Sequence, residues 1–170
     1  MFWRKPMAKK TNDLKKKYYV KAATDQLQNF INIDHIEIKQ SKTFAKTIMM
    51  YIEKGANPNI KDKNGVPLLG MVITSFYNNK SFSIDDQLKI VQVLLDKGAY
   101  VNEVDNHGQT PITVAAAFNL SHLVELLIAN GADLHIKTTS SHTTDEIAEI
   151  AGSKDSATVL ESYHSKVKIP

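Results

Sequence analysis

The residues in this sequence best suited by type and spacing to do chemistry are Asp105 and His107, in the stretch Val104-Asp105-Asn106-His107-Gly108-Gln109-Thr110-Pro111. A carboxylate that orients an imidazole can make a general base. Such a base needs a nucleophile or a labile proton to act on, and no nearby Ser, Thr or Cys has a reason to be activated. The other histidines, His35, His122, His135, His142 and His164, form no H-E-x-x-H pair, and the chain has no cysteine. Sulfur ligands, thiolate chemistry and disulfides are therefore excluded, and metal binding has no donor set. Neither G-x-x-x-x-G-K-[ST] nor G-x-G-x-x-G occurs, so no phosphate cradle is expected. The residues predict no catalytic group, no metal and no cofactor, and Asp105 and His107 are expected to shape a turn.

The elements around that turn repeat. Gly55-Ala56-Asn57-Pro58-Asn59, Gly98-Ala99-Tyr100-Val101-Asn102 and Gly131-Ala132-Asp133-Leu134-His135 align at spacings of 43 and 33 residues. Each follows an apolar stripe of helical period; in the second, Ile90, Val91, Leu94 and Leu95 share one face. A glycine directly after such a stripe ends a helix, because it enters the left-handed region without a Cβ clash. Asp62-Lys63-Asn64-Gly65 and Asp105-Asn106-His107-Gly108 then follow at matching positions as hairpin-like turns. Thr110-Pro111 supplies a polar N-cap and a proline at the first helical position, and the small residues of ITVAAAF suit a closely packed helix.

This order at a 33-residue period resembles the ankyrin repeat. The family pattern D-x-x-G-x-T-P-L-H-x-A-A is met by Asp105, Gly108, Thr110, Pro111, Ile112, Ala115 and Ala116, with Thr113 in the histidine position. The preceding copy keeps Asp62, Gly65 and Leu69 but has Pro67 where the capping threonine belongs, a loss of about 1 kcal/mol. The following copy keeps Thr143 and Ala148, has Ser141 for glycine and Asp145 for leucine, and reads as a carboxy-terminal cap.

The expected architecture is an all-α solenoid of three to four repeats. A basic flexible tail covers 1–12 and the repeat domain 13–164. Within it lie a degenerate first repeat (13–55), a repeat at 56–98, a repeat at 99–131 and the cap at 132–164. The first repeat pairs a helix over 13–31, with Leu14, Tyr18, Leu27 and Phe30 on its apolar side, with a second over 42–53, joined by INIDHIEIKQ. The ten extra residues at 77–86 are expected to form an exposed loop between the helices of the 56–98 repeat, with Ser83 and Asp86 starting the next helix.

The net charge of +3 hides an asymmetry. Residues 1–21 hold eight Lys or Arg against Asp13 alone, and the rest is mildly acidic. Lys9, Lys10, Lys15, Lys16 and Lys17 beside Tyr18 and Tyr19 form a cluster suited to nucleic acid or an anionic membrane. The same cluster also reads as a solvated helix face. No apolar run spans a bilayer and no signal core follows the basic start, which places the chain in a cytosol, with delivery into a host cell by a signal-less route left open.

The resemblance implies a non-catalytic module that binds another protein through fingertips and inner helices on one concave face. Mapped residue by residue, the tip positions are Lys61, Lys63, Asn64, Val66, Val104, Asn106, His107, Gln109, Lys137, Thr139, Ser140 and His142. The inner-helix positions are Thr74, Ser75, Ala117 and Phe118, where Phe118 is either an aromatic contact or packing for the inserted stretch. A monomer is expected, acting as a small bacterial adaptor or effector. The alternatives are an inhibitor or immunity protein that blocks an enzyme, and nucleic-acid or membrane binding through the lysines.

Overall fold

A computed structural model describes residues 7–32, 42–79 and 81–167. Among these residues the chain forms eight helices: α1 (Met7–Ile31), α2 (Lys42–Glu53), α3 (Leu68–Asn78), α4 (Ile84–Asp96), α5 (Pro111–Ala117), α6 (Ser121–Ala129), α7 (Thr144–Ile150) and α8 (Lys154–Val167). Helices α3, α5 and α7 pack side by side as an inner row, and α2, α4, α6 and α8 as an outer row, while α1 lies against α2. Each unit touches mainly its neighbours, which is the packing of a solenoid.

Local chemistry starts and stops these helices where the sequence says it should. Thr110 caps α5 by accepting from the Thr113 N–H at 3.4 Å, with Pro111 opening the helix. Helix α3 begins after Pro67 without a side-chain cap, as its missing threonine predicts. Thr143 and Glu146 close a reciprocal capping box at α7. Helices α2, α4 and α6 each end at a glycine with positive φ, at Gly55, Gly98 and Gly131. The core runs unbroken from Leu27 and Ile31 through Phe44, Ile73 and Ile112 to Leu127 and Leu160. Ala115 and Ala116 are fully buried, so α5 fits tightly between the helices on either side.

Three expectations need correction. Helix α1 begins at Met7, so residues 7–12 belong to a helix rather than to a flexible tail. Leu14 and Tyr18 do not face the core: they are 66% and 70% exposed, and Ala23, Leu27 and Ile31 are the residues that α1 buries. The reason is length, because α1 has 25 residues and α2 only 12, which leaves the first half of α1 beyond its partner. The insertion is not simply an exposed loop. Helices α3 and α4 have 11 and 13 residues against 7 and 9 in α5 and α6, so most of the insert adds about a turn to each. Phe82 anchors the short connection; it is buried and meets the Phe76 ring edge-on at 5.0 Å. Ser83 does cap α4, accepting from the Asp86 N–H at 3.1 Å. Most of the expected linker INIDHIEIKQ, including His35, lies outside the described residues.

Candidate partner-binding face

The fingers that follow α2 and α4 are built alike. Asp62 Oδ1 accepts from the N–H groups of Asn64 (2.9 Å) and Val66 (3.0 Å), and Asp105 Oδ1 accepts from those of His107 (2.8 Å) and Gln109 (2.9 Å). In the third finger Thr138 Oγ1 plays that part for the His142 N–H at 3.2 Å, and Ser141 takes the glycine position at φ 64°. Asp105 and His107 thus meet through a backbone N–H and not through the imidazole. The Asp105 carboxylate is held by the turn, and the His107 ring is exposed to solvent. Gly108 has φ 70°, and a Cβ there would sit 3.0 Å from the Thr139 nitrogen and 3.1 Å from the Thr138 Cα. Adjacent fingers pass too closely for a side chain at that point.

Hydrogen bonds tie each finger to the next. The Lys61 ammonium donates to the Val104 carbonyl at 2.9 Å and pairs with Glu103 at 2.6 Å. The Asn106 amide donates to the Asn64 carbonyl at 2.6 Å, and the Thr139 N–H donates to the His107 carbonyl at 2.8 Å. Helix α1 joins this series from the other side, with Gln28 Nε2 donating to the Lys61 carbonyl and the Lys63 N–H donating to Asn32 Oδ1. The side chains of Lys61 and Asn106, expected to meet a partner, therefore serve first to brace the fingers. Lys63, His107, Gln109, Lys137, Thr139 and Ser140 are exposed along the tips, while His142 is half-buried.

Behind the fingers, helices α3 and α5 enclose a groove of about 340 Å³. It brings together five residues chosen from sequence, Val66, Thr74, Ser75, Gln109 and Phe118. Ser75 is buried and donates to the Val72 carbonyl at 2.7 Å, so it shapes the wall and offers no free hydroxyl. Thr74 donates to the Gly70 carbonyl in the same manner. Ala117 lies outside the groove and accepts from Ser153 Oγ at 3.0 Å. Phe118 stacks on Tyr77 with ring centroids 4.2 Å apart and planes 13° from parallel, so it packs on the first residue of the insertion while lining the groove.

Sequence reasoning missed Phe44, Met71, Asn78, Glu103 and Val114 on the groove wall. Val114 stands one helical turn before Phe118, a spacing that could have flagged it. Phe44 and Tyr77 carried no such signal, because the first repeat is degenerate and the insertion breaks the register.

Two titratable groups are shifted. His122 is half-buried in the outer row with Nε2 2.9 Å from Gln87 Oε1; burial pushes its pKa below the ordinary imidazole value, and nearby Glu125 partly opposes this. Glu146 is pulled below the usual carboxylate value, chiefly by the Thr143 backbone N–H it accepts from. Both lie outside the groove wall. Among the described residues no three His, Asp or Glu side chains converge as metal ligands, and no helix is long and apolar enough to cross a membrane.

Comparison with known proteins agrees with this geometry. A family model for ankyrin repeats matches residues 35–138 in three copies. A Borreliella burgdorferi protein named for its ankyrin repeat is 31% identical over 120 residues, covering 67% of this chain and 53% of that protein. A similarly named Rickettsia bellii protein is 36% identical over 86 residues, covering 50% of this chain and 23% of its own length. One from fowlpox virus is 31% identical over 111 residues, covering 65% and 30%. The chain thus spans about half the length, or less, of these relatives.

Proposed function

The chain belongs to the ankyrin-repeat family, whose members generally serve as protein–protein interaction modules, and on that premise we propose that it binds a partner protein through its concave face without catalysis. The groove between α3 and α5, with exposed Gln109 on its wall and exposed Lys63 and His107 in the same finger turns as its lining residues Asp62 and Asp105, carries this reading. It has an apolar floor and a polar rim, the usual make-up of a protein recognition surface. The finger-to-finger hydrogen bonds hold that surface in shape before a partner arrives, so docking needs little rearrangement. In the cell the chain acts as a small adaptor or effector. An inhibitor would use the same face.

Affinity capture from the native cell tests this, comparing wild type with a triple variant, Lys63→Ala, His107→Ala and Phe118→Ala. The variant is expected to lose the captured partner while keeping a cooperative melting transition. Equal yields from both proteins would show that the face is wrong.

A second reading has its own observation. Lys15, Lys16, Lys17, Tyr18 and Tyr19 are all exposed on the overhanging half of α1, and Lys21 is exposed just after it, as an anionic surface would require. Deleting residues 1–17 separates the two: concave-face binding survives the deletion, whereas binding to nucleic acid or anionic vesicles does not.

A further inference from the structure

We propose that the overhanging part of α1 binds single-stranded nucleic acid, with its lysines on the phosphates and Tyr18 and Tyr19 stacked on unpaired bases. This rests on the second reading above and decides between its two anionic partners, while the concave face is a separate surface.

Position makes the first argument. Helix α1 meets the turn after α2 at Val20, whose Cγ2 would stand 3.3 Å from a Cβ on Gly55, and at Thr24, whose Oγ1 accepts from the Asn57 N–H at 3.0 Å. Every side chain from Asp13 to Tyr19, before that meeting point, is exposed. These side chains are open to a ligand.

Charge makes the second. Among the described residues no carboxylate pairs with Lys15, Lys16, Lys17 or Lys21, and Asp13 is the only acid in residues 1–21. Lys17 and Lys21 stand one helical turn apart, a like-charge spacing that destabilises a helix. A polyanion relieves that repulsion and gains by releasing its own counterions. Because the rest of the chain is net acidic, a polyanion is drawn to this helix and repelled by the body.

Geometry chooses the polyanion. Successive helix residues turn by about 100°, so Lys15, Lys16 and Lys17 spread charge around more than half of the helix, and exposed Asp25 lies two turns along on the side of Tyr18. A helix that lies in a bilayer surface needs a broad apolar stripe, and these charges leave none over 13–25. The tyrosines point to bases instead. Tyr18 and Tyr19 are 70% and 67% exposed, and their rings meet edge-on with centroids 5.9 Å apart and planes at 74°. An edge-on pair covers at most one face of either ring. The unpaired bases of a single strand can stack on the open faces, whereas those of a duplex are already stacked on one another.

The test is fluorescence anisotropy of the full chain with labelled twelve-nucleotide probes: oligothymidylate, oligouridylate, an abasic strand and a duplex. The better of the two pyrimidine strands is expected to bind at least ten-fold more tightly than the abasic strand and the duplex. Its log affinity should fall against log salt with a slope of about −3, as four lysines on four phosphates require. Lys17→Gln with Lys21→Gln should make that slope shallower by about 1.4. Tyr18→Ala with Tyr19→Ala should lower affinity at least ten-fold and leave the slope unchanged. Tyr18→Phe with Tyr19→Phe should retain the affinity of wild type, because phenylalanine keeps the ring. Each variant alters exposed side chains only and is checked for an unchanged melting transition.

Equal affinity for the pyrimidine strands, the abasic strand and the duplex would overturn base stacking and leave an electrostatic role for α1 standing. Binding to phosphatidylserine vesicles with none to any oligonucleotide would overturn the inference and assign α1 to a membrane. Binding to neither would end the second reading as well.

Discussion

Asp105, His107 and Gly108 show how a stretch that looks reactive can be structural at most of its positions. Asp105 is taken up by two finger N–H groups and Gly108 by a close passage against Thr138 and Thr139, which leaves the His107 ring as the part the scaffold does not require. Gly108→Ala forces an L-residue into the left-handed region against backbone atoms, and is expected to cost about 2 kcal/mol in urea denaturation. The converse holds at Ser141, which occupies the same turn position at φ 64°; Ser141→Gly should stabilise the chain by about 1 kcal/mol. His122 titrates in a defined direction. Its folded pKa lies below the ordinary value of 6.5, so the stabilisation from keeping it neutral is complete above about pH 6.5 and is lost as pH falls below that towards the folded value. Thermal melts between pH 8 and 5 should therefore show a downward slope below pH 6.5 that is shallower in His122→Gln.

Among the elements, the turns after each outer helix are joined by asparagines. Asn59 donates to the Gly98 carbonyl at 2.8 Å and accepts from the Tyr100 N–H at 2.7 Å. Asn102 repeats this one unit along, with Gly131 and Asp133 at 3.2 and 2.9 Å. Asn102→Ala removes both bonds and is expected to lower stability by about 1 to 2 kcal/mol, read as a lower urea midpoint with an unchanged m-value. His135 stands where a third asparagine would be, which fits the sequence reading of the last repeat as a cap. The repeating turns, the Thr110 and Ser83 caps and the alanines of α5 were all legible, because short-range chemistry dictates each of them. The burial of α1 and the fate of the insertion were not. Leu14 and Tyr18 have helical spacing, yet spacing alone does not say whether a partner helix is long enough to cover them. Phe82 looked like part of a polar loop, and only the extra turn on α3 brings Phe76 to meet it.

At the scale of the whole molecule, a braced row of fingers and a row of inner helices form one preorganised surface. The Phe118 and Tyr77 pair was half legible: Phe118 stood out by type, whereas its partner follows from an insertion with no fixed register. Similarly, Asp62 and Asp105 on the groove wall were visible in sequence only as turn-formers, because their placement beside one groove depends on stacking across repeats. The basic overhang of α1 is separate from the groove wall, so the two surfaces can be altered independently.

The most direct measurement is the dissociation constant of the captured partner for wild type, Val114→Lys and a deletion of residues 1–17. Binding through the groove predicts at least a ten-fold rise for Val114→Lys and less than a two-fold change for the deletion. A deletion that abolishes binding while Val114→Lys leaves it intact would contradict the account and place function on α1.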